Sequence, residues 1–219
     1  SAFTTIQQAR AAVDNEEFYQ KMEKVYQKGG YKLLGYADQG FRVMSTNKNV
    51  KSINDFKGQK IRTMENSYHL KFWKTLGANP TPMTFSEVYI GLQQGTIDAQ
   101  ENPYEVIVSS KLYEQQDYVV ETNHLPHYIS LIVSDEFYQG LTKEQQKIID
   151  QAAEIAQEKA RESADDRRVQ RQKVLEDEGM QIVDVDQKTW KQMQEKCQPV
   201  YDSIRKQAGD KLVDLYMGK

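Results

Sequence analysis

At 219 residues and 25.4 kDa, with 38% hydrophobic and 28% charged residues, the chain can form one large domain or two small lobes, each with a core of its own. Its 13 Tyr and 7 Phe argue against disorder, and a formal charge of -3 with a pI near 5.7 offers no cationic field for nucleic acid. No stretch reaches the roughly 20 apolar residues of a membrane-spanning helix, and the single cysteine, Cys197, excludes an intrachain disulfide and a multi-cysteine zinc site.

The opening SAFTTIQQAR shows no signal peptide, as expected of a processed chain. Through TTIQQARAAVDNEEFYQKMEKVYQKGG the apolar spacing is helical. Val13, Phe18, Met22 and Val25 are expected in the core, with Gly29 or Gly30 ending a second helix. YKLLGY and GFRVMST read as two strands, SINDFKGQ as a turn, and KIRTM as a third strand. A helix is expected from Asn66 to Leu76, with Leu70, Trp73 and Leu76 near one face and Gly77 as its stop. ANPTPM is an extended link, because residues before proline disfavour the α region. Thr84 and Glu87 match a capping box for a short helix through Val88, Ile90 and Leu92 that Gly95 stops, and TIDA reads as a brief strand.

After Pro103 a helix runs toward Tyr113, and DYVVET and HYISLIVS make two more strands. Thr142 and Gln145 match a second capping box. With no Gly or Pro before Gly179, one helix of about 36 residues, roughly 54 Å, is expected, its apolar positions at Ile148, Ile149, Ala152, Ala156 and Ala160. Heptads are not sustained, so a helix running along two lobes explains this length better than a coiled coil. MQIVDV reads as a strand, followed by a helix from about Gln187 to Cys197 and a final helix from Pro199 to Met217. Strand and helix alternate over short connections, which favours an α/β fold.

The sequence contains no HExxH, GxSxG or P-loop pattern. His124 and His127, in TNHLPHY, have no evident carboxylate to complete a metal shell, and Cys197 reads as a structural helical thiol. No enzymatic activity, metal or cofactor is therefore expected. Arg42 and Arg62 lie amid apolar strand residues, where a guanidinium either makes two parallel bonds to a ligand carboxylate or pairs with an internal acid. Asn102 either offers its amide to a ligand or caps the helix after Pro103. Glu101 is either a ligand contact or an arginine partner, and Phe85 and Tyr68, at loop ends, are expected as pocket walls.

The passages GFRVMSTNKNV, DFKGQKIRTMENS, LGANPTPMTFSEVYIGLQQGTIDAQENP and KLYEQQDYVVETNH together resemble the DctP-type periplasmic solute-binding proteins of tripartite ATP-independent (TRAP) transporters. The resemblance implies a two-lobe α/β periplasmic binding protein fold with a long helix spanning both lobes. It also implies periplasmic capture of a small organic acid for delivery to a TRAP membrane permease, without bond chemistry. It makes Arg62 the main carboxylate clamp and matches Arg42, Asn102 and Phe85 to family motif positions, with Glu101, Tyr68 and His124 added as pocket residues. The sequence departs from the family pattern at Ala99, where Gly is usual, and at Val50, where Pro is common.

On this pattern residues 1–39 belong to lobe I, 40–127 to lobe II, and 128–141 to a strand and connection of lobe I. The inter-lobe helix takes 142–178, and 179–219 packs mainly on lobe II. Family members carry further residues before the point where this chain starts, so the first lobe is expected to be incomplete and its open strand edges to favour self-association. The TMEN segment, Tyr68 and His69 lean toward a hydroxylated sugar acid over a C4-dicarboxylate. A protein-binding sensor or scaffold built on the same fold is the alternative.

Overall fold

The computed structural model describes residues 2–218. The chain divides into two compact units: a larger one of residues 41–125 and 168–207, and a smaller one of residues 2–40, 126–167 and 208–218.

In the smaller unit, α1 (Ile6–Asp14) starts from a capping box between Thr5 and Gln8, and α2 (Glu16–Lys28) from an Asn15 side chain that accepts from the Phe18 amide. Each satisfies amides left open at a helix start. Gly29 caps α2, and Gly30, at φ +83°, turns the chain into strand β1 (Tyr31–Thr46). Val13 and Phe18 are buried with Leu33 and Tyr36, and Met22 packs against them; Val25, expected in the core, is 55% exposed.

The two strands expected from YKLLGY and GFRVMST are one strand, β1, which passes from the smaller unit into the larger at Gly40. Gly40 takes φ +75° inside it, so the glycine changes the strand's course without ending it. At Gly35 an added Cβ would lie 2.3 Å from Gln157 Oε1, and that same oxygen accepts from the Tyr36 amide at 2.8 Å.

In the larger unit β2 (Lys60–Thr63) leads to α3 (Ser67–Thr75), whose first amides bond the Asn66 side chain. ANPTPM, expected as a link, contains a short strand, β3 (Asn79–Pro82), parallel to β2 at the sheet edge, where its prolines remove no needed donor. The capping box expected at Thr84 does not form. Its hydroxyl donates to the Glu87 carboxylate at 2.6 Å, and a 3-10 turn, Phe85–Glu87, precedes α4 (Val88–Gln93). Gly95 ends that helix at φ +67°. The strand expected at TIDA lies further on, as β4 (Ala99–Asn102). The helix expected toward Tyr113 is α5 (Tyr104–Ser109) followed by a separate 3-10 turn, with Lys111 at φ 51° between them.

DYVVET and HYISLIVS are likewise one strand, β5 (Tyr118–Ser134), which continues through Asn123 at φ 40° and carries the chain back to the smaller unit. There α6 (Asp135–Gln139) precedes α7 (Lys143–Asp177), a 35-residue helix that contributes to both units. Its capping box forms as expected: the Thr142 amide donates to Gln145 Oε1 at 2.9 Å and the Gln145 amide to Thr142 Oγ1 at 3.3 Å. The buried face differs from the expected one. It runs through Gln146, Ala153, Ala164 and Leu175, whereas Ile148 is 58% exposed.

In the larger unit β6 (Gln181–Asp184) pairs parallel with β5, and α8 (Gln187–Lys196) and α9 (Gln198–Ala208) follow. The single final helix expected from Pro199 is two, because Gly209 at φ +87° separates α9 from α10 (Asp210–Met217). Helix α10 lies with α1 and α2 in the smaller unit.

The strand order among the described residues is β3-β2-β4-β1-β5-β6. Register fixes which side chains share a face, because successive residues of a strand alternate. Met44, Ile61, Ala99, Val120 and Val183 belong to one core with α3, α8 and α9. Val43, Val119 and Ile182 belong to another with α4, α5 and the end of α7.

Candidate functional site

The same alternation separates the two arginines. Arg62 pairs in register with Gln100, and Gln100 with Ser45, so these three share a face with Asn102. Arg42, an odd number of residues from Ser45, belongs to the opposite face, that of Glu101 and Met44.

Arg42 grips Glu101 as a fork. Its Nε donates to Oε2 at 2.6 Å and its Nη2 to Oε1 at 3.0 Å, with further bonds from Nη2 to the Glu101 carbonyl at 2.7 Å and to Asn102 Oδ1 at 3.0 Å. Glu101 is fully buried and also receives His124 Nε2 at 2.9 Å and His69 Nδ1 at 3.3 Å. Burial alone would raise the Glu101 pKa. The bonds from His124 and His69 and the charge of Arg42 outweigh it and hold the carboxyl well below its usual value. Burial also lowers the His124 pKa to about 4, against the pull of Glu101. A neutral His124 that donates from Nε2 must accept at Nδ1, which it does from the Thr122 hydroxyl at 2.8 Å. Phe72 stacks on the His124 ring at 5.2 Å and Trp73 meets it edge-on at 5.1 Å. Glu101 thus has four donors from three side chains, and of the two readings open for it the geometry realises the arginine partner.

Arg62 is placed differently. It is 4% exposed, and its Nε donates to the Met83 carbonyl at 2.9 Å. Its guanidinium carbon lies 5.5 Å from the centre of the Phe85 ring, which is 44% exposed. Among the described residues Arg62 forms no ion pair, so its Nη groups have no carboxylate to fill their planar fork. Burial is the largest influence on it and lowers its pKa; the Glu101 carboxylate opposes this and the Arg42 cation adds to it.

Asn102 does not cap α5, whose first turn follows Pro103 without a side-chain cap. Its Oδ1 accepts from Arg42 and its Nδ2 donates to Gln100 Oε1 at 2.7 Å. Arg62 and Asn102 stand on one face at the carboxyl ends of the parallel strands β2 and β4, the position where open α/β sheets receive ligands. Tyr68 is half-buried, and its hydroxyl donates to Gln207 of α9. The sequence reading missed Thr122, Ser45, Gln100 and Gln116, and assigned His69 no contact with Glu101. The one available signal was the period-two spacing of Gln100 and Asn102 in an otherwise buried strand. Among the described residues no cluster of three or more His, Cys, Asp or Glu side chains could hold a metal ion, and no helix is long and apolar enough to cross a membrane.

Two α/β units joined by a long shared helix define a two-lobe solute-binding protein fold. The sequence matches DctP, bacterial extracellular solute-binding protein family 7, over residues 2–207, and the chain belongs to that family, whose members bind solutes and are not enzymes. A Haemophilus influenzae protein of uncharacterized function is 37% identical over 187 residues, covering 85% of this chain and 56% of its own length. The chain spans about half the length of the curated relatives it matches. Among solved structures, a TRAP periplasmic solute-binding protein from H. influenzae with bound L-gulonate superposes with a TM-score of 0.91 at 33% identity, over 99% of this chain and 71% of that one. A Sulfitobacter sp. counterpart with bound β-D-galacturonate superposes with a TM-score of 0.92 at 28% identity, over 100% and 73% of the two chains.

Proposed function

We propose that this chain belongs to a periplasmic receptor that captures a small organic acid and delivers it to a TRAP-type membrane permease. The observation that carries the reading is Arg62: a buried guanidinium with no carboxylate partner among the described residues, backed by a partly exposed aromatic ring and on the same sheet face as Asn102. Burying a charge without a partner is costly, and a ligand carboxylate that accepts from both Nη groups would offset that cost. Arg62 is the clamp, Phe85 its wall, and Asn102 a second donor. Arg42, Glu101 and His124 form the buried support beneath them, while Tyr68 packs with the α3 core on the other face of the sheet.

The sugar acids bound by the two neighbouring structures make hydroxylated monocarboxylates the first ligands to test. Calorimetric titration with L-gulonate, D-galacturonate and succinate checks the reading. Saturable binding of an acid by the wild type and its loss in Arg62→Met are expected. An acid that binds Arg62→Met as tightly as wild type would overturn it.

A further inference from the structure

Behind Asn102 a file of buried side-chain hydrogen bonds runs from β4 to β1, on to the residues before β5, and ends on a backbone carbonyl. Asn102 Nδ2 donates to Gln100 Oε1 at 2.7 Å and Gln100 Nε2 to Ser45 Oγ at 2.7 Å. Ser45 Oγ donates to Gln116 Oε1, and Gln116 Nε2 to the Asp98 carbonyl at 3.0 Å. Ser45 and Gln100 are wholly buried and Gln116 nearly so.

The direction of every bond in this file follows from its last member. A backbone carbonyl can only accept, so Gln116 must turn its NH2 to Asp98 and its oxygen to Ser45. Ser45 must then donate to Gln116 and accept from the Gln100 NH2, which leaves the Gln100 oxygen facing Asn102. Asn102 therefore points its nitrogen at Gln100 and its oxygen at Arg42. The other end demands the same, because a guanidinium can only donate. Two groups that cannot reverse their roles thus fix three amides and a hydroxyl between them. The second Nδ2 hydrogen of Asn102 has no acceptor among the described residues.

We infer that Gln100, Ser45 and Gln116 are positioning residues for the ligand site: they lock the Asn102 amide so that it offers a ligand an N–H and keeps its carbonyl committed to Arg42. The inference rests on the reading of Arg62 and Asn102 as ligand contacts. It makes this side of the site donor-only, suited to a carboxylate or hydroxyl oxygen and closed to a ligand that must donate there.

Two measurements test it. In ligand-free protein, the side-chain amide signals of Asn102, assigned by their loss in Asn102→Ala, are expected to shift in Ser45→Ala and again in Gln116→Leu, a second variant in case the first folds poorly. In titrations with L-gulonate and D-galacturonate, Ser45→Ala is expected to weaken binding roughly three- to tenfold, as for one lost buried hydrogen bond. It is expected to have no effect in an Asn102→Ala background, where a merely structural role would persist. Unmoved Asn102 signals, or an equal Ser45→Ala effect in both backgrounds, would overturn the inference. If neither acid binds the wild type, the ligand reading fails while the amide signals still decide the orientation.

Discussion

Arg42 and Arg62 project from opposite faces of one sheet, and among the described residues only Arg42 meets a carboxylate. The first therefore contributes to the folded state, and in the proposed function the second is the one that meets the ligand. Arg62→Met should cost little stability, about 0.5 kcal/mol or less, since it removes a desolvated charge and keeps an apolar stem. Ligand affinity should fall by at least about thirtyfold, as for a truncated buried charge pair. Arg62→Lys should not restore it, because an ammonium lacks the planar fork. Urea unfolding and calorimetric titration of the same samples check the contrast.

The Arg42–Glu101 pair should behave in the opposite way. Glu101→Leu leaves a guanidinium buried without its partner and is expected to cost about 3–5 kcal/mol in urea unfolding. Arg42→Met combined with Glu101→Leu should be less destabilised than the sum of the single variants, because each removes the other's unpaired charge. Additive losses would mean that the pair is not a unit.

Stability should depend on acid through His124. Its pKa is lowered from 6.5 in the unfolded chain to about 4 in the fold, so between these values the unfolded state binds more protons. The contribution is fully present above pH 6.5 and is lost as the pH falls toward 4. It amounts to about 3 kcal/mol. Glu101 has the depressed pKa of a paired carboxylate, and its contribution is lost at still lower pH, as the carboxyl protonates. Unfolding midpoints measured from pH 7.5 downward should decline through the histidine window, and His124→Gln should flatten that part of the curve.

Gly35→Ala tests the approach of α7 to β1 in the smaller unit. The new methyl would meet Gln157 Oε1 and displace it from the Tyr36 amide, at a cost of about 1–3 kcal/mol. Adding Gln157→Ala removes the clash, so the double variant should be less destabilised than the sum of the two single ones. Thermal unfolding of the four proteins decides this.

What could be read from sequence was local. Thr142 and Gln145 form the box their spacing suggests, and Gly30, Gly77 and Gly95 turn the chain where helices stop. The same motif at Thr84 and Glu87 fails because the hydroxyl finds the carboxylate before it finds an amide. Gly40 and Asn123 take positive φ inside continuous strands, so the two segments expected around each are one strand. The difference between Arg42 and Arg62 could not be read at all. Both are single arginines in apolar strands, and only the register of β1, β2 and β4 decides which one faces Glu101. Gln100, Ser45 and Gln116 escaped notice for the same reason, since three polar side chains become a file only when strands distant in sequence are set side by side.

Cys197 is buried among Phe56, Met193 and Val200, and burial pushes its pKa up to about 11. At neutral pH it stays a shielded thiol and reacts slowly with alkylating reagents. For thiol-directed labelling the protein is in practice cysteine-free. A fluorophore pair at introduced cysteines, for instance Lys74→Cys in the larger unit and Glu136→Cys in the smaller, can be attached without removing the native residue. Energy transfer between the two dyes would then report directly on any rearrangement of the units when an acid is added.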